Sequence, residues 1–177
     1  GVTKSFELSA PDYSIDWDRL RRLISMKTRM IIINTPQNPI GKILKPADMQ
    51  ALEKLVSSSD IIILSDEVYG MLHFSQSDRP LATQSNQVIS VGSFSKSHAM
   101  TGWRLGWLAT ENAELLQSCL IAHQYIATCA SVPAQRVIAA LLDSPLYESI
   151  PQKYKVHYQA KLELFLKECS PALRAAT

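Results

Sequence analysis

Lys96 stands between two serines, Ser95 and Ser97, shortly after the apolar run Val88-Ile89-Ser90-Val91. The end of a buried strand is an odd place for a merely solubilising charge. Eight residues on, Arg104 lies inside the Trp- and Gly-rich segment Thr101-Gly102-Trp103-Arg104-Leu105-Gly106-Trp107. A lysine amine can hold an aldehyde covalently, and a guanidinium fork beside hydroxyls suits a phosphate. Lys96 is therefore read as the covalent anchor of an aldehyde cofactor, with Arg104, Ser93 and Ser95 around its phosphate.

Two further stretches offer matching chemistry. Asp66 comes just after Ile61-Ile62-Ile63-Leu64, where a carboxylate is costly unless it faces a cation. Tyr69, three residues later, can present a phenol from the same turn. Asn38 offers an amide in Asn34-Thr35-Pro36-Gln37-Asn38-Pro39-Ile40-Gly41, a turn braced by two prolines. One ligand uses all of these groups: pyridoxal 5'-phosphate, with its ring nitrogen, phenolic oxygen, aldehyde and phosphate. A carboxylate at the ring nitrogen keeps the ring an electron sink. A Tyr and an Asn at the phenolic oxygen keep the Lys Schiff base reactive near neutral pH.

The elements that must position these turns follow from hydrophobic pattern. Met30 to Ile33 reads as a strand buried on both faces, and Ile61 to Leu64 and Val88 to Val91 read as two further buried strands. Trp103 to Leu108 alternates as a fourth strand, and Ser5 to Leu8 as a short one. Asp16 caps a helix carrying Trp17, Leu20, Leu23 and Ile24. Pro46 opens another with Met49, Leu52, Leu55 and Val56 on one face. His73 to Gln87 is a loop, and helices follow from Asn112 to about Cys129 and from Pro133 to Leu142. A long amphipathic helix runs from Leu146 to Cys169, with Tyr154, Tyr158, Leu162 and Phe165 on one side, and Pro171 stops it. The fold class is α/β: an open, mostly parallel sheet flanked by helices, followed by a long C-terminal helix. Ligands bind beyond the carboxyl ends of such strands, where the three polar turns converge.

Together the three turns resemble the class I/II aminotransferases among fold type I pyridoxal-phosphate enzymes. The matching segments are Asn34 to Gly41, Ser65-Asp66-Glu67-Val68-Tyr69, and Ser93-Phe94-Ser95-Lys96 through Trp107, in family order and spacing. The resemblance implies that Lys96 forms the Schiff base and shuttles the substrate proton. It implies that Asn38 and Tyr69 bond the phenolic oxygen, that Asp66 pairs with the ring nitrogen, and that Ser93 and Arg104 bind the phosphate. Ser95 is the weaker phosphate candidate. The implied reaction transfers an amino group between an amino acid and a 2-oxo acid. Ser97 to Trp103 leans toward aromatic, methionine-like or other non-acidic donors. The same turns also serve C–S β-lyases and related lyases, and a catalytically silent piece is a third reading. The family usually has Thr where this chain has Ile40.

Family members are longer than this chain, so it is expected to be an incomplete, central part of one. On that reading residues 1–145 are the cofactor-binding large-domain core, and 146–177 are an interdomain helix leading toward a small domain outside the chain. The family is usually homodimeric, and weak association is expected of this piece.

Composition narrows the alternatives. The 177 residues suffice for one domain with a core. A formal charge of +2, with no basic run longer than Arg21-Arg22, argues against nucleic acid as the main partner. No apolar stretch reaches the length of a membrane span, and no secretory leader is evident. Cys119, Cys129 and Cys169 are widely spaced, without metal-ligand spacing, so no metal is expected. They are read as reduced core or helix-face residues of a cytoplasmic protein. His98 is assigned a structural role, Trp103 and Trp107 packing, and Glu67 a bracing role pointing away from the site.

Overall fold

A computed structural model describes residues 1–74 and 85–169. Asp16 begins α1 (Trp17–Leu23), its carboxylate accepting from Arg19 N–H at 2.9 Å. The apolar run predicted as the first strand is β1 (Met30–Asn34). Pro46 opens α2 (Pro46–Val56), and the Asp48 carboxylate accepts from Lys45 N–H at 3.0 Å across its first turn. β2 (Ile62–Asp66) and β3 (Val88–Ser93) follow. The single turn α3 (Phe94–Ser97) carries Lys96, and a short 3-10 turn spans Thr101–Trp103. β4 (Gly106–Ala109) completes the sheet, in the order β1-β2-β3-β4. The rest is helical: α4 (Ala113–Ala127), α5 (Val132–Leu142) and α6 (Leu146–Glu168).

β1, β2 and β3 pair in parallel, and β4 returns antiparallel to β3. Register sets Asn34 beside Asp66, and Asp66 beside Val91. The strands outrun the hydrophobic pattern by one or two residues. Asn34, Asp66 and Ser93 are therefore the last residues of strands, held by the ladder, rather than the first residues of turns.

The core lies between one sheet face and the first two helices. Leu20, Met49, Leu52, Val56, Ile61, Ile63 and Val88 form it. Each fully buried aliphatic side chain there contributes roughly 1.5–3 kcal/mol of transfer free energy. Gln87 ties this layer together: its Nε2 donates toward the carbonyls of Val56, Ser59 and Ile61 at 3.2, 2.6 and 3.1 Å.

Several expectations are corrected. Ser5 to Leu8 forms no strand; that region has a lone bridge between Ser9 and Ser14. Trp103 sits in the 3-10 turn, because Arg104 takes a left-handed conformation (φ 52°) that breaks the extended run before Gly106. β1 is not buried on both faces: Ile32 is 66% exposed, since the helices packed on the core cover the other side. Of the two readings of the cysteines, the core one is overturned and the helix-face one stands for Cys119 on α4: Cys119 and Cys169 are partly covered and Cys129 is exposed. α4 buries none of its residues, and Leu162 and Phe165 of α6 are also exposed. The greater part of the predicted loop from His73 to Gln87, and Pro171, lie outside the described residues. Among the described residues no helix is long and apolar enough to cross a membrane.

Candidate active site

Three strand ends lie side by side and carry the polar turns. After β1, Asn34 is the organiser: its Nδ2 donates to Asp66 O at 3.0 Å, and its Oδ1 accepts from Asn38 N–H at 2.7 Å. One side chain thus joins the Asn38 turn to the end of β2. This role was missed in the sequence, although an Asn closing an Ile-rich strand was its visible sign. The Asn38 side chain itself is exposed.

At the end of β2, the Asp66 Oδ1 accepts from Val68 N–H at 3.1 Å. Asp66 forms no ion pair among the described residues, so the cationic partner expected for it is not another side chain described in this chain. Glu67 turns the other way. Its Oε1 accepts from the fully buried Ser90 hydroxyl at 2.6 Å, tying the β2 turn to β3. Its bracing role is thus through the side chain as well as through its backbone N–H, which donates to Val91 O at 2.8 Å.

β3 delivers Lys96. Ser93 caps α3, its Oγ accepting from Ser95 N–H at 3.1 Å and donating to Leu105 O at 3.2 Å. The Thr101 hydroxyl donates to Ser95 O at 3.0 Å and folds the following turn back onto α3. Lys96 Nζ stands 5.8 Å from the centre of the Tyr69 ring. Both line a cleft of about 600 Å³, with Leu72, Ser95, Ala99, Thr101, Tyr154 and Tyr158. Tyr154 and Tyr158 come from α6, one helical turn apart, with rings 6.3 Å apart and near parallel. Their i, i+4 spacing was read only as an apolar face; their arrival opposite Lys96 depends on how α6 packs.

The predicted residues do not all share this cleft. Tyr69, Ser95 and Lys96 line it; Asn38, Asp66, Ser93 and Arg104 do not. Arg104 is exposed and donates one N–H to Thr101 O at 3.1 Å. The two tryptophans differ: Trp103 is 46% exposed, whereas Trp107 lies against Gly92 on β3, where any Cβ would fall 2.2 Å from its ring. His98, assigned a structural role, is buried and is not among the residues lining the cleft. Among the described residues no cluster of His, Cys, Asp and Glu could hold a metal ion.

The model of the aminotransferase class I and II family matches residues 1–172. The chain belongs to that family. Its relatives include a probable kynurenine–oxoglutarate transaminase of Saccharomyces cerevisiae, 35% identical across 87% of this chain and 36% of the relative. A methionine aminotransferase of Escherichia coli is 32% identical across 88% of this chain and 42% of its own length. Among solved structures, an E. coli protein identified as a methionine aminotransferase superposes with a TM-score of 0.83 at 29% identity, covering 90% of this chain and 43% of that one. This aminotransferase chain therefore spans about two fifths of the relatives it matches. Its sheet and helices are those of the fold type I aminotransferases.

Proposed function

We propose that this chain forms the cofactor-binding core of a pyridoxal-5'-phosphate-dependent aminotransferase, which moves an amino group between an amino acid and a 2-oxo acid. The observation that carries the reading is the placement of Lys96. Its exposed amine rises from a one-turn helix into a cleft beyond the parallel strands, over the Tyr69 ring.

By chemical type the donor set matches the cofactor group by group, although only Tyr69, Ser95 and Lys96 of it line the cleft. Lys96 is an exposed amine with no ion pair among the described residues, suited to holding an aldehyde. Asp66 is a carboxylate with no ion pair among the described residues, suited to a protonated ring nitrogen. The Asn38 side chain and the Tyr69 phenol are the donors for the phenolic oxygen. Arg104 has one N–H committed to Thr101 O, and the rest of its fork is available to a phosphate. The Ser93 hydroxyl already gives its hydrogen to Leu105 O and would have to turn to serve a phosphate. Ser95 lines the cleft, which strengthens the weaker of the two serines.

Bound here, the cofactor supplies an electron sink and a temporary carrier for the amino group. The chain's residues do the rest. Lys96 would hold the cofactor's aldehyde and, as a free amine, would move the proton at the substrate Cα. Asp66 would face the ring nitrogen and favour its protonated form. Leu72, Tyr154 and Tyr158 keep one side of the cleft apolar around that amine. Among the described residues Lys96 is the one cation in the cleft lining, which favours a non-acidic donor side chain. Relatives named for methionine and kynurenine agree with that preference, while others of 32–33% identity are named for aspartate.

The experiment is reconstitution with pyridoxal phosphate, borohydride reduction and peptide mapping. Label on Lys96, absent in Lys96→Ala, is the expected result. Label elsewhere, or none on a folded sample, would falsify the cofactor assignment. A panel of amino acids in single turnover then measures donor preference. We extend the proposal to a homodimeric parent enzyme, with weak self-association of this chain measurable by sedimentation.

A further inference from the structure

We propose that His98 is a positioning residue that clamps the Lys96 turn to α6. α3 is four residues long, and one helical turn has no stability of its own. What sets the direction of Lys96 must therefore be what holds the ends of that turn. Ser93 holds the start. His98 holds the end: its N–H donates to Phe94 O at 3.1 Å, and its side chain is 5% exposed. Nδ1 lies 2.8 Å from the Ser97 hydroxyl, and Nε2 lies 2.9 Å from Tyr147 O on α6. The ring stacks on Tyr147 at 5.2 Å and tilts against Phe94 at 5.6 Å.

The acceptor on α6 has a reason in the sequence. Pro151 lies inside α6 and has no N–H, so the carbonyl four residues earlier loses its helical donor. That carbonyl belongs to Tyr147. His98 Nε2–H supplies the missing donor from another element. Because a carbonyl can only accept, Nε2 must carry the hydrogen between the ring and Tyr147 O. The Ser97 hydroxyl lies between Nδ1 and Ser93 O, 3.2 Å from the latter, and its single hydrogen serves one of the two at a time, linking the ring to the start of α3. Lys96 sits between these ties, and its side chain is left to the cleft that α6 also lines. The clamp thus sets the lysine turn against the helix bearing Tyr154 and Tyr158.

The relevance of this clamp to catalysis rests on the proposed aminotransferase reading, but its existence does not. The test compares His98→Phe, which keeps the stacked ring and loses both ring hydrogen bonds, with His98→Gln, which restores a donor to Tyr147 O. Amide hydrogen exchange across residues 94–100, measured without cofactor, should quicken in the Phe variant by about tenfold, the loss of one net hydrogen bond, and return toward the parent in Gln. With pyridoxal phosphate, single-turnover half-reaction rates should fall about tenfold to a hundredfold in the Phe variant, with substrate KM within about twofold, and recover in Gln. Unchanged exchange in His98→Phe overturns the clamp. So does equal loss of fold in both variants, since the role would then be bulk packing. If the parent takes no label at Lys96, the cofactor reading fails while the exchange result still decides the clamp.

Discussion

Replacing Gly92 by alanine should destabilise the sheet that carries Lys96, through one identifiable clash. Gly92 on β3 faces Trp107 on β4. A Cβ at Gly92 would lie 2.2 Å from Trp107 Cζ2, 2.3 Å from Cε2 and 2.7 Å from Nε1, where ordinary contact begins at 3.4 Å. The indole must therefore retreat by about 1.2 Å (3.4 less 2.2). It is 37% exposed, so it can swing part of the way toward solvent at the expense of its packing on β3. Overpacking of this size costs about 1–3 kcal/mol. At about 2–4 °C per kcal/mol for a chain of this length, Gly92→Ala should melt about 2–12 °C below the parent. Thermal and urea denaturation followed by Trp fluorescence are the assays. A double-mutant cycle with Trp107→Ala isolates the cause: the pair should couple by at least about 1 kcal/mol, because alanine at 107 removes the three atoms nearest the new Cβ. A Gly92→Ala protein within about 0.5 kcal/mol of the parent, or a cycle with no coupling, refutes the reasoning.

Other consequences follow from the same geometry. Gln87→Ala removes the donor shared by the Val56, Ser59 and Ile61 carbonyls and should cost about 1–3 kcal/mol in urea denaturation; a neutral result would show that water satisfies all three. Arg104→Gly should separate stability from ligand binding. Glycine suits the φ of 52°, so stability should stay within about 1 kcal/mol, while pyridoxal phosphate binding, titrated by absorbance, weakens at least about tenfold. Unweakened binding would remove Arg104 from the phosphate site. Lys96→Ala should abolish borohydride-fixed label while melting within about 0.5 kcal/mol of the parent, because the side chain is exposed. His98→Phe should slow the half-reaction without that loss of label.

Much of this protein was legible without coordinates, for local reasons. The Ile-rich runs specify β1 and β2 because continuous β-branched residues suit extended, buried backbone. Asp16, Pro46 and Asn112 announce helix starts through capping and the missing N–H of proline, and each stands where the helix begins. Lys96, Asp66, Tyr69, Asn38 and Arg104 could be singled out because reactive or ionisable groups at strand ends need a reason to be there. The family followed from the order of those turns.

Tertiary structure decided what depends on packing between distant segments. Where a strand stops is set by its neighbours' hydrogen bonds, so Asn34, Asp66 and Ser93 became ladder residues. Burial of β1 on both faces could not be read from Ile31-Ile32-Ile33, because hydrophobicity states a preference and only a covering element can meet it. The antiparallel return of β4 depends on the left-handed backbone at Arg104 and on the room Gly92 leaves for Trp107. Tyr154 and Tyr158 joined the Lys96 cleft, and His98 found the carbonyl freed by Pro151, through the docking of a helix some fifty residues away. Side-chain chemistry is carried by residue type, so the sequence alone could name the lysine. What holds that lysine in place is a set of contacts across the chain, which exists only once the chain has folded.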